Sequence, residues 1–168
     1  MHKRALILVA LAVAAAVLAA GANARTERSA APQKNIVQTA IAAGQFKTLV
    51  KLVKRAGLVG ALSSQNARLT VFAPTDAAFA RLPKTTLNTL LQNKAKLRAV
   101  LLYHVVNGRV PAARVTMLTS AMTLARKSVT FSMKDGAVFV NDAKVVKADV
   151  GTRNGIIHVI NRVLIPAP

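Results

Sequence analysis

The side chains able to do acid–base or metal chemistry are few: His2, His104 and His158, the acids Glu27, Asp76, Asp135, Asp142 and Asp149, and no cysteine. Without cysteine there is no disulfide framework, no thiolate zinc site and no cysteine nucleophile, and so few acids and imidazoles leave a metal cage short of ligands. A hydrolase would need a nucleophile, a base, an orienter and an oxyanion site. The adjacent Tyr103 and His104 suggest a general base, but His104, His158 and Asp76 would have to converge with a serine, and their separation along the chain gives no reason to expect it. The sequence carries no Gly-x-Ser-x-Gly elbow, no Ser-x-x-Lys followed by its usual partners, no glycine-rich phosphate loop and no His-Glu-x-x-His. These absences point to a protein that is not an enzyme, with no catalytic residue, metal or cofactor.

The composition narrows the class further. The chain has 168 residues, 53% of them hydrophobic, with 24 Lys plus Arg against five acids. It is apolar enough to build a core, which excludes a disordered acidic tail. Part of that apolar content has the grammar of an export signal. His2, Lys3 and Arg4 precede the unbroken apolar run Ala5–Ala20, and Ala22-Asn23-Ala24 is a small-x-small cleavage site. The run is shorter than the about 20 residues a membrane span needs. The expectation is therefore a signal peptide over 1–24, cleaved after Ala24, with a retained amino-terminal anchor as the alternative. No later segment is apolar enough to span, and no lipobox cysteine is present to hold a lipid anchor. The product is expected free in a periplasm or medium, or held to a surface by non-covalent contacts.

Cleavage would leave 144 residues with 22 bases and five acids, a net charge of +17. One domain is expected, and a chain of this size buries about 70% of the surface its unfolded form exposes. The bases are spread along the chain: eight in 25–68, six in 69–110 and eight in 111–168. Such a surface attracts any polyanion over a Debye length of about 8 Å and specifies none. With six aromatic residues in all and no zinc-finger spacing, specific nucleic-acid recognition is a poor reading.

Any functional side chain must be positioned by elements that the sequence punctuates clearly. Residues 25–34 form a polar lead-in, and the domain occupies 35–168. Asn35 is a plausible cap for a helix that Gly44 stops. In the next helix Phe46, Leu49, Val50 and Val53 fall at helical spacing, Lys47, Lys51, Lys54 and Arg55 hold the polar side, and Gly57 ends it. Leu58–Leu62 makes a short helical turn, Leu69–Ala73 a strand stopped by Pro74, and helices follow over Pro83–Gln92 and Lys94–His104. After Gly108 the texture becomes strand-like: Ser128–Met133 and Ala137–Asn141 around the hairpin signal Asp135-Gly136, then Lys144–Val150, and Ile156–Ile165 after Asn154-Gly155. Helices first and strands last, with one strand among the helices, is an α+β plan.

Three segments carry a family resemblance. Thr70-Val71-Phe72-Ala73-Pro74-Thr75-Asp76-Ala77-Ala78-Phe79 resembles the first signature block of the fasciclin domain, Leu101-Leu102-Tyr103-His104-Val105-Val106 its Tyr-His motif, and the run from Asn154-Gly155 through His158 to Pro166 its second block. They occur in the family's order across about Asn35 to Pro166. The resemblance implies a fasciclin-like β-wedge, a twisted and mainly antiparallel sheet packed against an N-terminal helical portion. It also implies a secreted or surface-held protein of adhesion and extracellular interaction, without implying catalysis.

Read physically, the blocks are mainly structural. Pro74 lacks a donor and ends strand pairing, Thr75 or Asp76 can cap a helix starting at Ala77, and Phe79 points into the core. His104 shares a helical face with Leu97 and Leu101, which predicts a buried, hydrogen-bonded imidazole. Asn154-Gly155 is a favourable pair for a tight turn with positive φ. In the strand after it Ile156, His158 and Ile160 face one way and Ile157, Val159 and Asn161 the other, and Pro166 closes the strand. The expected partner is a cell-surface or extracellular-matrix protein or glycan. The alternative is charge-driven binding of anionic polysaccharide, lipopolysaccharide or extracellular DNA, with Lys47, Lys51, Lys54 and Arg55 as candidate contacts. Capture of an apolar small molecule between helices and sheet is a third reading.

Overall fold

The first helix of the described residues starts where the sequence supplies a cap. In the computed structural model, which describes residues 34–167, Asn35 accepts the Gln38 N–H at 2.8 Å while the Gln38 side chain takes the Asn35 N–H at 3.1 Å. This capping box starts α1 (Ile36–Ala43), which Gly44 ends at φ 71°. The expected signal peptide and almost all of the lead-in lie outside the described residues.

Helix α2 (Lys47–Ala56) buries Leu49, Leu52, Val53 and Ala56, exposes Lys47, Lys51, Lys54 and Arg55, and stops at Gly57 in the left-handed region. The chain continues through α3 (Val59–Ser63), β1 (Leu69–Pro74), α4 (Asp76–Ala80), α5 (Lys84–Gln92), α6 (Lys94–Tyr103), β2 (Val105–Asn107) and α7 (Ala112–Val115). It finishes with β3 (Ser120–Met122), β4 (Ser128–Lys134), β5 (Ala137–Val140), β6 (Ala143–Thr152) and β7 (Gly155–Ile160).

The strands form a single seven-stranded sheet in the order β2-β1-β7-β6-β5-β4-β3. Only β1 and β7 run parallel. The two edges meet: Leu124 N–H donates to the Val105 carbonyl at 2.8 Å, and Val106 bridges Thr123. The sheet therefore curls nearly shut, which leaves little open edge for unwanted pairing.

Alternation along the two central strands divides the interior in two. Leu69, Val71 and Ala73 of β1 and Ile157 and Val159 of β7 pack under the helices, against Ile36, Leu49, Val53, Leu97 and Leu101. Phe72 and Ile160 point into the curl of the sheet with Tyr103, Val129, Phe131 and Leu164. Both faces of β1 and β7 are thus buried, as a central strand requires.

Two expectations need correction. The strand expected over Ile156–Ile165 stops at Ile160, which pairs with Pro74; with no proline N–H to continue the ladder, the chain leaves the sheet and Pro166 lies in irregular structure. The two-residue hairpin between β6 and β7 is Arg153-Asn154, since Thr152 pairs with Gly155, and neither Asn154 nor Gly155 has positive φ. Asp135 and Gly136 between β4 and β5 do have it, at φ 51° and 73°, as their sequence predicts, and so does Asn141 between β5 and β6, at φ 52°. Strands β2 and β3 and helix α7 are each four residues or fewer, too short to leave a periodic pattern.

Candidate functional site

At the corner after β1 the two capping residues serve different helices. Thr75 Oγ1 accepts the Ala78 N–H at 3.2 Å and starts α4 at Asp76, one residue earlier than expected. The Asp76 carboxylate reaches back across the fold. Its Oδ1 accepts the Thr48 N–H at 2.8 Å and its Oδ2 the Lys47 N–H at 3.3 Å, while its own N–H donates to Gln45 O at 2.9 Å. Helix α2 has Phe46 at its N-cap, a residue with no acceptor, so Asp76 satisfies its free amides instead. Burial pushes the Asp76 carboxyl up, but hydrogen bonds from Thr48 and Lys47 and the Lys47 charge outweigh it and hold the group below its ordinary range. Phe79 is buried beneath this corner.

The Tyr-His motif ties α6 to distant strands. His104 is fully enclosed, with Nδ1 2.8 Å from Val100 O and Nε2 accepting the Leu164 N–H at 2.9 Å. These partners assign a neutral ring with its proton on Nδ1. The Tyr103 hydroxyl donates to Ser128 O at 3.1 Å and accepts from Asn141 Nδ2 at 3.0 Å, and Asn141 Oδ1 in turn accepts the Thr130 N–H at 2.8 Å.

Burial pushes the His104 pKa down from 6.5 to about 4, against the smaller upward pull of the Val100 hydrogen bond. As pH falls below 6.5 the unfolded chain takes up a proton that the folded ring refuses until about 4, so stability is complete above this window and falls through it. The loss amounts to about 3 kcal/mol at most. Asp76, with its lowered pKa, adds a further loss at lower pH in the same direction. Urea unfolding of the protein between pH 4 and 7.5 reads this slope. His104→Gln, which keeps an acceptor for Leu164 and does not titrate, is expected to remove one proton's worth of it; an unchanged slope would assign the acid sensitivity elsewhere.

In the second block, Asn154 and His158 are buried and use every polar atom. Asn154 Oδ1 accepts the Ile36 N–H at 3.0 Å, and its Nδ2 donates to Leu62 O at 2.7 Å and Ser64 O at 3.1 Å. His158 Nδ1 accepts the Asp149 N–H at 3.2 Å and Nε2 lies 2.8 Å from Val110 O, so its tautomer is the opposite of that in His104. Its ring stacks on Phe72 at 5.5 Å. Thr70 holds the same loop: its hydroxyl donates to Gly108 O at 2.7 Å and accepts the Val110 N–H at 2.9 Å. Asp149 Oδ1 adds an acceptor for the Ala112 N–H at 2.8 Å.

The fasciclin domain profile matches residues 44–166. The chain belongs to the fasciclin family. Protein sll1483 of Synechocystis is 50% identical over 133 residues, covering 78% of this chain and 73% of that protein. Immunogenic protein MPT70 of Mycobacterium tuberculosis is 36% identical over 128 residues, covering 76% of this chain and 61% of that protein. Among solved structures, a domain pair from the insect cell adhesion molecule Fasciclin I superposes with a TM-score of 0.68 at 18% identity, covering 80% of this chain and 52% of that chain, a likeness of fold.

In this fasciclin domain the groups that would have to converge for hydrolysis do not meet. His104, His158 and Asp76 each spend their polar atoms on a different set of backbone partners. Among the described residues no cluster of three or more His, Cys, Asp or Glu could hold a metal ion. No described helix is long and apolar enough to cross a membrane. Between α1, α2 and the sheet lies an apolar cavity of about 30 Å³, walled by Val50, Val71 and Leu101. That is room for one or two waters, too little for a lipid or sterol unless a helix moves. Sequence reasoning missed Asn141, Asp149 and Thr152 as positioning residues; the Thr152 hydroxyl donates to Gly155 O at 2.9 Å across the hairpin. Asn141 and Asp149 do carry a signal, an Asn or Asp at a turn or bulge with positive φ, of 52° and 55°.

Proposed function

We propose that the mature chain is an exported, non-catalytic fasciclin domain that works as an adhesion or interaction module and meets a cell-surface or extracellular-matrix protein or glycan with its outer surface. One observation carries this reading: Thr70, Tyr103, His104, Asn154 and His158 are all buried and hydrogen-bonded inward, so the family's polar hallmarks are scaffold. What remains available for recognition is a strongly basic exterior. The leader grammar of residues 1–24 supports export, and the likeness in fold to a cell adhesion molecule supports the role. A pull-down from the native envelope fraction with the mature protein, at physiological and at high salt, tests it. Retention of defined envelope components at physiological salt is expected; no association with any envelope or matrix preparation would overturn the reading. Replacing Lys51, Lys54 and Arg55 by glutamine is expected to weaken retention with only a small change in melting, since these side chains lie on the exposed face of α2 and Lys47, whose charge acts on Asp76, is left in place.

A further inference from the structure

Four cations from four separate segments meet in one groove. Arg81 at the end of α4, Lys134 at the end of β4, Lys144 in β6 and Arg162 just beyond β7 line it together with Phe139, Asn141, Asp142 and Asn161. Arg81 and Arg162 also line a second hollow beside Leu82 and Val163, so these two residues border both concavities. The floor is fixed by the sheet: Lys144 N–H donates to Asn161 Oδ1 at 2.9 Å and Asn161 N–H returns to Lys144 O at 3.1 Å. The Arg81 guanidinium reaches Asn161 O at 3.4 Å, which sets its direction.

We propose that this groove binds an acidic polysaccharide, with Arg81 and Arg162 taking the carboxylate or sulfate of successive sugars. Guanidinium forks match planar or branched oxyanions in a bidentate way that a point charge does not. The other lining groups select the sugar. Asp142 is an acceptor suited to the hydroxyls of a glycan, donors that the phosphodiester backbone of DNA lacks, and the half-buried Phe139 ring offers an apolar face to a pyranose. Lys47, Lys51 and Lys54 of α2 line a separate hollow with the apolar Ile41, Phe46 and Val50, so it offers point charges for diffuse attraction and no guanidinium fork.

The inference deepens the interaction-module reading and rests on it. The test measures binding of the mature chain to polygalacturonate, dextran sulfate, neutral dextran and duplex DNA across a salt series. Binding to polygalacturonate or dextran sulfate but not to neutral dextran is expected, and whichever binds names the anion. Arg81→Gln with Arg162→Gln is expected to weaken it about tenfold or more, while Lys47→Gln, Lys51→Gln and Lys54→Gln together weaken it less than about threefold. Lys134→Gln with Lys144→Gln provides a second probe of the same groove should the arginine pair fail to fold. Equal losses from groove and α2 variants would overturn the site while leaving charge-driven binding intact. DNA bound as tightly and lost by the same variants, or neutral dextran bound equally, would overturn the ligand class. No polysaccharide binding in a protein that still retains envelope components would overturn this inference alone.

Discussion

Replacing Asn154 by aspartate exchanges one NH2 group for an oxygen and is expected to cost about 3 to 5 kcal/mol of folding stability. The side chain is 1% exposed. Its two kinds of partner fix which end is which: the Ile36 N–H can only donate, and the Leu62 and Ser64 carbonyls can only accept. Aspartate would keep the cap on α1 but set a second carboxylate oxygen against two carbonyls, with no solvent to relieve it. Protonation restores one donor, so the variant's carboxyl must titrate higher in the folded state than the about 3.9 of an unfolded aspartate. Its deficit therefore grows as pH rises above 4, opposite in sign to the slope that His104 gives the parent chain. Asn154→Ala, with nothing to titrate, is expected to lose about 2 to 4 kcal/mol with no such added slope. Urea unfolding at pH 4.5 and 7.5 separates the two. Equal deficits for both variants at both pH values would mean that the amide does not make these three bonds.

Asn154 also marks the limit of what the sequence discloses. Local rules read the chain well where cause and consequence are neighbours: Asn35 with Gln38, the lysine side of α2 against its apolar stripe, Asp135-Gly136 between β4 and β5. Thr75 belongs to the same class, since it caps the helix that starts at the next residue by accepting an amide three residues on. The roles that were not legible depend on residues far along the chain. Asn154 meets Ile36 across 118 positions, and Asp76 caps a helix 28 residues before it. An Asn-Gly pair satisfies the rule for a positive-φ turn, but here the strand register moves the turn one residue back and gives Asn154 a tertiary task. The four-cation groove is illegible for the same reason, since Arg81, Lys134, Lys144 and Arg162 share no local pattern, only the places where α4, β4, β6 and the end of β7 converge. The family resemblance picked out Thr70, Tyr103, His104, Asn154 and His158; their hydrogen-bond partners required the topology.

Gly155→Ala is the second large effect expected, and its cause is proximity. Gly155 pairs with Leu69 in the parallel register of β1 and β7, and a Cβ there would stand 2.1 Å from Leu69 O and 2.8 Å from Ile36 Cδ1. The first contact is with backbone, which no rotamer change relieves. To make room, β1 must withdraw from β7 at its first rung, where Leu69 N–H donates to Asn154 O at 3.2 Å, and α1 must shift with Ile36. Overpacking of this kind costs about 3 kcal/mol or more. Two other glycines isolate the cause. Gly136 has φ 73° and open space around it, so alanine there meets only the left-handed backbone penalty of about 1 to 2 kcal/mol. Gly151 has neither positive φ nor a neighbour within 4 Å, and alanine is expected to be neutral or slightly stabilising. Denaturant unfolding should rank the losses Gly155, Gly136, Gly151, with amide exchange in the Gly155 variant accelerated first along β1 and α1. If Gly155→Ala proved no more costly than Gly136→Ala, the close approach of these two strands, on which the joining of helical layer and sheet depends, would be wrong.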